Sequence, residues 1–443
     1  MMFTGGLIDL DEYTHSVRLE RDNCKGCTNC IKNCPTEAIR VRDGKAWINS
    51  QRCIDCGECI RKCPYFAKVA VTDSLEDLKR FRYRIAVPAP TLYGQYKNIR
   101  SLPALLGALR AVGFDDVFDV ARAADVITRT SRDYLLRHEM PKPIISSACP
   151  AVVRLIQVRF PELLDHVLPV IPPNEAAARI AKDEFSRING VPKEEIGVFF
   201  ITPCAAKMTA KMNPIGFEKS AIDGCISMID LYGEINRNLG EAGSEGFSPD
   251  KMASKYGIGW SVTGGEAIAM GKESYLAVDG IANVIQVLEE IENGKFTDLE
   301  FFEGLSCIGG CVGGPLTFEN KYVANDRIRR ITESMEEPKE SPEDVKRWAR
   351  RHDLYFTREL EPKSVLQLDD DIAEAIRKME EMEEIYERLP DLDCGSCGAP
   401  TCHALAEDIV QGEASEMDCI FILRDRLRQV AQDLVNIADN NSR

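Results

Sequence analysis

The run "CKGCTNCIKNCP" that begins at Cys24 returns, with the same spacing, as "CIDCGECIRKCP" from Cys53. Each run sets three cysteines with two residues between neighbours and a fourth after three more, directly before a proline: Cys24, Cys27, Cys30 and Cys34, then Cys53, Cys56, Cys59 and Cys63. Three thiolates this close reach three corners of one iron–sulfur cubane. A pair of zinc sites also needs four ligands each, but the fourth cysteine and its trailing proline are not zinc-ribbon features. Both segments must therefore fold around metal, and that fixes the start of the chain.

The doubled C-x₂-C-x₂-C-x₃-C-P run is the bacterial two-cluster ferredoxin pattern, in which the fourth cysteine of each run ligates the other cluster. One 4Fe–4S cluster then takes Cys24, Cys27, Cys30 and Cys63; the second takes Cys53, Cys56, Cys59 and Cys34. The intervening "VRDGKAWINSQR" reads as a hairpin around Asp43-Gly44. Such a module moves single electrons and by itself names no substrate.

The whole chain has 443 residues and a formal net charge of −16. That charge argues against broad nucleic-acid or anionic-membrane binding, which need a basic surface. No apolar run approaches the roughly 20 residues that span a bilayer. The start "MMFTGGLIDLDEY" lacks the layout of a secretory signal, so a cytoplasmic location is expected. Seventeen cysteines in such a chain point to metal or redox work rather than disulfides. Cys225 alone falls outside a spaced group and reads as an ordinary buried cysteine.

A C-terminal group, "CGSCGAPTCHALAEDIVQGEASEMDC", holds Cys394, Cys397, Cys402 and Cys419. Two cysteines in a Gly-rich turn, a third opening a helix and a fourth after it can close around one cubane, or around zinc. His403 is expected to face solvent. The segment resembles the small four-cysteine iron–sulfur domain appended to several anaerobic redox proteins.

The last group is dispersed: Cys149 in "IISSACP", Cys204 in "FFITPCAAK", and Cys307 with Cys311 in "LSCIGGCVGGP". The first two follow apolar runs that read as buried parallel strands, and each sits in the turn where α/β sheets place their ligands. Together three loops supply four thiolates.

At these residues, over 17–335, the chain resembles the iron-only (FeFe) hydrogenases. The resemblance implies an H-cluster: a 4Fe–4S cubane on Cys149, Cys204, Cys307 and Cys311, with Cys311 bridging to a two-iron unit that carries CO, cyanide and a bridging dithiolate amine. It also implies that Lys207 hydrogen-bonds the distal cyanide and that Ala89, Pro90 and Thr91, in "AVPAPT", lie against the proximal one. "SVTGGEA", at Thr263–Gly265, matches a further family segment; its likeness to a phosphate loop is superficial.

The family's first loop has two adjacent cysteines, and the second relays protons. Here Ala148 stands in its place, and a methyl group carries no proton. General acid–base help is worth about 10²–10⁴ in rate. The carboxylates of the family's proton path align with Ser131 and Tyr134, a methionine aligns with Thr202, and a common glutamate with Ala210. Ligation is kept and the proton path is stripped, a combination that resembles the sensory-type members of the family. The expected activity is slow, reversible H₂ splitting in a protein that senses H₂ or redox state. Two alternatives are a slow ferredoxin-linked hydrogenase and an iron–sulfur scaffold or electron-transfer protein without the two-iron unit. Expected partners are H₂ and protons, ferredoxin or another redox protein, and a signalling protein or second copy.

The fold class expected is multidomain α/β: a ferredoxin-like domain (1–75), a two-lobed α/β hydrogenase domain (76–335), a linker and helical segment (336–389), a small helical iron–sulfur domain (390–425) and an amphipathic tail (426–443). "EEPKESPEDVK" (336–346) reads as the linker. Ile372, Ile376, Met379 and Ile385 fall on one face of a helix that Pro390 stops. Ile420, Leu423, Leu427, Val430, Leu434 and Ile437 form a heptad seam. That seam either packs against its own chain or docks a second copy or signalling protein.

Overall fold

The computed structural model describes residues 15–97, 101–239, 253–336, 343–363, 365, 368–369 and 371–441. It resolves into two units that the chain enters more than once. One takes residues 18–53, 58–69 and 364–443; the other takes 1–17, 54–57 and 70–363. The two paired cysteine runs and the C-terminal cysteine group thus share most of one unit.

In that unit β1 (Val17–Leu19), β2 (Ile39–Arg42), β3 (Lys45–Ile48) and β4 (Lys68–Ala70) form two small sheets, β1 with β4 and β2 with β3. Asp43 and Gly44 turn β2 into β3 with φ of 51° and 69°, the doubly left-handed turn that matches strand twist. The cysteine repeat is also a structural repeat. The N–H of Ala38 donates to Cys34 Sγ at 3.2 Å, and that of Ala67 to Cys63 Sγ at 3.3 Å. Helices Ile372–Arg388, Cys402–Val410 and Ile420–Asn441 complete the unit.

The apolar faces of these helices are used unevenly. Met382, Ile385 and Leu389 are buried with Cys402, Leu405 and Cys419, whereas Ile372, Ile376 and Met379 are exposed. Only the C-terminal half of the first helix reaches the short helix it packs on. All six residues of the seam are exposed as well, Leu427 at 60% and Leu434 at 62%. Phe421 and Ile422, on another face, pack against the small core instead. The reading that the seam packs on its own chain is therefore corrected. Of the expected linker (336–346), residues 337–342 lie outside the described residues, and its end belongs to helix Glu343–Arg351, where Val345 and Trp348 are buried.

The other unit is built on two parallel sheets. Its strands are β5 (Tyr83–Pro88), β6 (Asp116–Val117), β7 (Ile144–Ile145), β8 (Ile196–Thr202), β9 (Gly224–Ser227), β10 (Tyr275–Asp279) and β11 (Phe301–Leu305). The sheet orders are β6-β5-β8-β9 and β10-β11-β7. Each of β8, β9 and β11 is buried along its whole length, as helices on both faces of a parallel sheet require. Burying one side chain such as Phe199 contributes roughly 1.5–3 kcal/mol. Cys225 lies in β9, fully buried in this core, and burial pushes its thiol up to about 12.

Candidate metal centre and its cavity

Four loops leave the C-terminal ends of parallel strands and converge. β5 delivers Ala89, Pro90 and Thr91; β7 delivers Ser146 to Cys149; β8 delivers Cys204; β11 delivers Cys307 and Cys311. This end of a parallel sheet is where backbone dipoles and loops build ligand sites. Cys149 precedes helix Pro150–Arg159 and Cys204 precedes helix Ala205–Met212, so both sulfurs stand at the positive ends of helices. Thr202 is local architecture: its hydroxyl accepts the Cys204 N–H at 3.0 Å and donates to the Cys204 carbonyl at 3.1 Å.

The glycines of "CIGGCVGG" permit the loops to meet. Gly314 lies so close to the Pro203 carbonyl that an added Cβ would stand 2.3 Å from its oxygen. Gly310 has φ +84° and runs against the backbone of Val262 and Thr263. Neither position tolerates a side chain without moving the neighbouring loop.

Two of the four thiols, Cys204 and Cys311, have proton affinities raised by burial. Burial pushes Cys204 up to about 12, with Cys307 and Cys149 adding to the shift. Cys311 is driven higher still, by burial and then by the other three thiols against the opposing pull of Lys207. Thiols held this high keep their protons until a metal replaces them. The donor set, soft and closed, fits an iron–sulfur cluster.

Beside the thiols is a cavity lined by Ala89, Pro90, Thr91, Ala148, Asn174, Lys207, Glu266, Glu303 and Cys311, among others. Lys207 Nζ donates to Asn174 Oδ1 at 2.8 Å and to the Ala148 carbonyl at 3.2 Å. Two neutral acceptors fix the ammonium and leave its third proton free. The Thr91 hydroxyl is fully buried and has no hydrogen-bond partner. A lone buried hydroxyl and a poised ammonium facing one cavity suit a small, electron-rich ligand.

The family profile described as "Iron only hydrogenase large subunit, C-terminal domain" matches residues 83–275 and 266–315, more than half of the chain. The chain belongs to the iron-only hydrogenase family. Residues 16–64 match a "4Fe-4S dicluster domain" and 389–421 a "Putative Fe-S cluster" domain. The chain is 26% identical over 375 residues to Iron hydrogenase 1 of Clostridium pasteurianum, covering 69% of this chain and 65% of that protein, under two thirds of its length. It is 26% identical over 377 residues to the periplasmic Fe hydrogenase large subunit of Nitratidesulfovibrio vulgaris, covering 71% of this chain and 89% of the relative. An FeFe-hydrogenase structure from Chlamydomonas reinhardtii superposes with a TM-score of 0.51 at 14% identity, over 66% of this chain and 99% of that one. The fold is therefore that of the iron-only hydrogenase large subunit's C-terminal domain.

Ser131 and Tyr134, which the sequence reading aligned with the family's proton path, are not among the residues lining the cavity. Ser131 is buried in helix Val120–Leu135 with an unpartnered hydroxyl, and Tyr134 stacks on His138 at 4.2 Å. Two other carboxyls do line it. Glu266 and Glu303 are both buried, and desolvation holds both well above the usual carboxylate range; the charge of Glu303 raises Glu266 further. Glu303 accepts N–H groups of Gly264 and Ala267 at 3.0 and 2.9 Å, while Glu266 accepts the Ser146 hydroxyl at 2.5 Å. The sequence reading missed both. The available signals were a glutamate following the glycines of "SVTGGEA" and a charge inside the otherwise apolar strand "FFEGL".

In the other unit, Cys402 opens its helix and has its N–H bound to Asp393 at 2.6 Å; Cys419 is buried with it in one small core. His403 is exposed, its ring against Tyr386. Among the described residues no helix is long and apolar enough to cross a membrane.

Proposed function

We propose that this protein holds an H-cluster on Cys149, Cys204, Cys307 and Cys311, splits H₂ reversibly and slowly, and serves in the cytoplasm as a sensor of H₂ or redox state. The observation that carries the reading is the cavity in which Lys207, the orphan Thr91 hydroxyl and Cys311 meet. When bound, the two-iron unit supplies heterolytic H₂ chemistry and the cubane supplies the sink for its electrons. Cys149, Cys204, Cys307 and Cys311 would hold the group. Lys207 and Thr91 would hydrogen-bond the electron-rich ligands of the two-iron unit, and the apolar walls would keep bulk water out. Ala148 offers no proton carrier at the family's relay position. Groups able to hold a proton at the cavity are the carboxyls of Glu266 and Glu303, whose proton affinities burial raises, the charge of Glu303 raising that of Glu266 further.

Slow turnover suits a protein whose output is its redox state. Two ferredoxin-type clusters and one C-terminal cluster carry that state onward. The exposed seam of helix Ile420–Asn441 is the docking surface, and its occupant is a second copy of the chain. The groups at the cavity count against a bare iron–sulfur scaffold, since a cyanide-binding ammonium has no use without cyanide. An infrared spectrum of protein matured with the two-iron unit, under argon and then under H₂, tests the reading. CO and cyanide bands that shift under H₂ are expected. Their absence, with a control hydrogenase matured alongside, leaves an iron–sulfur relay.

A further inference from the structure

The C-terminal cysteines share a unit with the ferredoxin hairpin, and the contacts between them are specific. The N–H of Val41 in β2 donates to the Gly398 carbonyl at 2.8 Å, one residue past Cys397. Arg42 Nη1 donates to the Cys397 carbonyl itself at 3.0 Å. Val41 is paired across the hairpin with Ala46, whose N–H donates to Cys24 Sγ at 3.4 Å. One strand pair thus separates the C-terminal turn from a ferredoxin sulfur, a span on the order of 10 Å. A second contact lies alongside. Gly395 packs against Thr28, Ile31 and Lys32, the segment between Cys27 and Cys34, and Lys32 Nζ reaches the Pro400 carbonyl at 3.5 Å.

This proximity is anchored. Asp408, on the helix that Cys402 opens, accepts from Arg40 at 2.8 Å and from Arg42 at 2.5 Å, and Glu407 pairs with Arg52. Arg40 and both carboxylates are nearly inaccessible. Buried ion pairs give little net stability against a hydrophobic replacement, but they hold one geometry, and losing one partner strands a charge. The arrangement fixes a distance rather than tethering a domain. Of the seventeen cysteines, all among the described residues, only Cys394 is exposed.

We propose that the C-terminal centre is the outer terminal of one linear relay, exchanging single electrons with the cluster of Cys24, Cys27, Cys30 and Cys63, and opening to solvent at Cys394. The proposal rests on the reading that both groups hold 4Fe–4S clusters. Each transfer oxidises the ferredoxin cluster and reduces the C-terminal one by one electron. Two such transfers carry the electron pair from one H₂, whose two protons leave through the hydrogenase cavity. The final acceptor is a one-electron redox protein or cofactor that meets the Cys394 face.

The test uses the full chain with its clusters assembled anaerobically. Metal analysis comes first: zinc, or no metal, at the C-terminal site overturns the reading on which the relay depends. With iron present, electron paramagnetic resonance of the fully reduced protein is compared with that of Cys402→Ser, which lacks the fourth cluster. Broadening and fast relaxation of the ferredoxin signal beyond what its two clusters impose on each other, with that excess lost in the variant, are expected. Asp408→Asn keeps every ligand and is expected to weaken the same interaction. A ferredoxin signal identical in all three proteins, with iron content confirmed, overturns the relay and leaves the cluster reading intact.

Discussion

The Ser146 hydroxyl donates to Glu266 at 2.5 Å, and the same oxygen accepts the N–H of Ala148 at 3.2 Å. Ala148 is therefore linked through Ser146, by two hydrogen bonds, to a buried carboxyl. Glu266→Gln keeps the shape of that contact and removes the titratable proton. We expect H₂ turnover to fall about 10²-fold or more, with Glu266→Asp recovering part of it. Iron content and the infrared bands of the resting state should stay unchanged. An equal rate in Glu266→Gln would remove the carboxyl from the proton route.

Ala148→Cys places a thiol at the mouth of the same cavity, where the Ala148 carbonyl already holds Lys207 at 3.2 Å. Turnover in H₂ oxidation should rise at least 10-fold within the general acid–base range. The gain should be larger in a Glu266→Gln background than in the native chain, because two routes in parallel mask each other. Rates of the four proteins, native, single and double variants, check both statements.

The pair also makes stability depend on pH. Glu266 has its proton affinity raised by burial and by Glu303, so the folded chain keeps a proton that the unfolded chain releases near the ordinary carboxylate value. The folded state binds more protons, so stability is greatest in mild acid and declines as pH rises through neutrality towards the folded value. Thermal melts of the apoprotein between pH 5 and 9 should show the decline, and Glu266→Gln should flatten it. A melt that rises with pH in this range would place the ionised pair, not the neutral one, in the fold.

Much of this site is legible in the sequence because it is local. The spacing of Cys24 to Cys34 and of Cys53 to Cys63 reads directly as cluster ligation, and the β-branched run before Cys204 reads as a buried strand. Asp43-Gly44 announces its own turn. Glu266 and Glu303 left only faint local signals, since nothing in either segment says that Gly264 and Ala267 donate to the carboxyl of a strand 39 and 36 residues later. Helix faces failed for a related reason. Periodicity puts Ile372 and Ile385 on one stripe, but whether a stripe is covered depends on the length of its neighbour, and the helix opened by Cys402 reaches only as far as Met382 and Ile385.

Lys207 is held by Asn174 rather than by a carboxylate, so its full charge stays available to the cavity. Lys207→Met should leave the cubane iron in place and lower retention of the two-iron unit, read as loss of the CO and cyanide bands after maturation. Asn174→Leu should have the weaker form of the same effect, shifting the cyanide bands while retaining them. Cavity chemistry that depends on the ammonium predicts this order of severity; identical bands in Lys207→Met would dissociate the lysine from cyanide.

The exposed seam of helix Ile420–Asn441 fixes a register for a second copy. Set antiparallel, Ile420 meets Ile437, Leu423 meets Leu434, and Leu427 meets Val430, so all six apolar residues pair in layers with none left over. The same register brings Arg426 of each copy against Asp433 of the other, whereas a parallel pair would set both against alanines, Ala431 and Ala438. Phe421 and Ile422 pack inward on their own domain and leave the seam free for the partner. Light scattering should find a dimer of the full chain, abolished by Leu427→Glu. Arg426→Asp turns two attractive contacts into two repulsive ones and should weaken the dimer about 10-fold, at roughly 0.2–1 kcal/mol per exposed pair. Adding Asp433→Arg in the same chain restores opposite charges and should restore the dimer. A monomer at every concentration would leave the seam to a different protein, and a dimer indifferent to both charge changes would rule out this register.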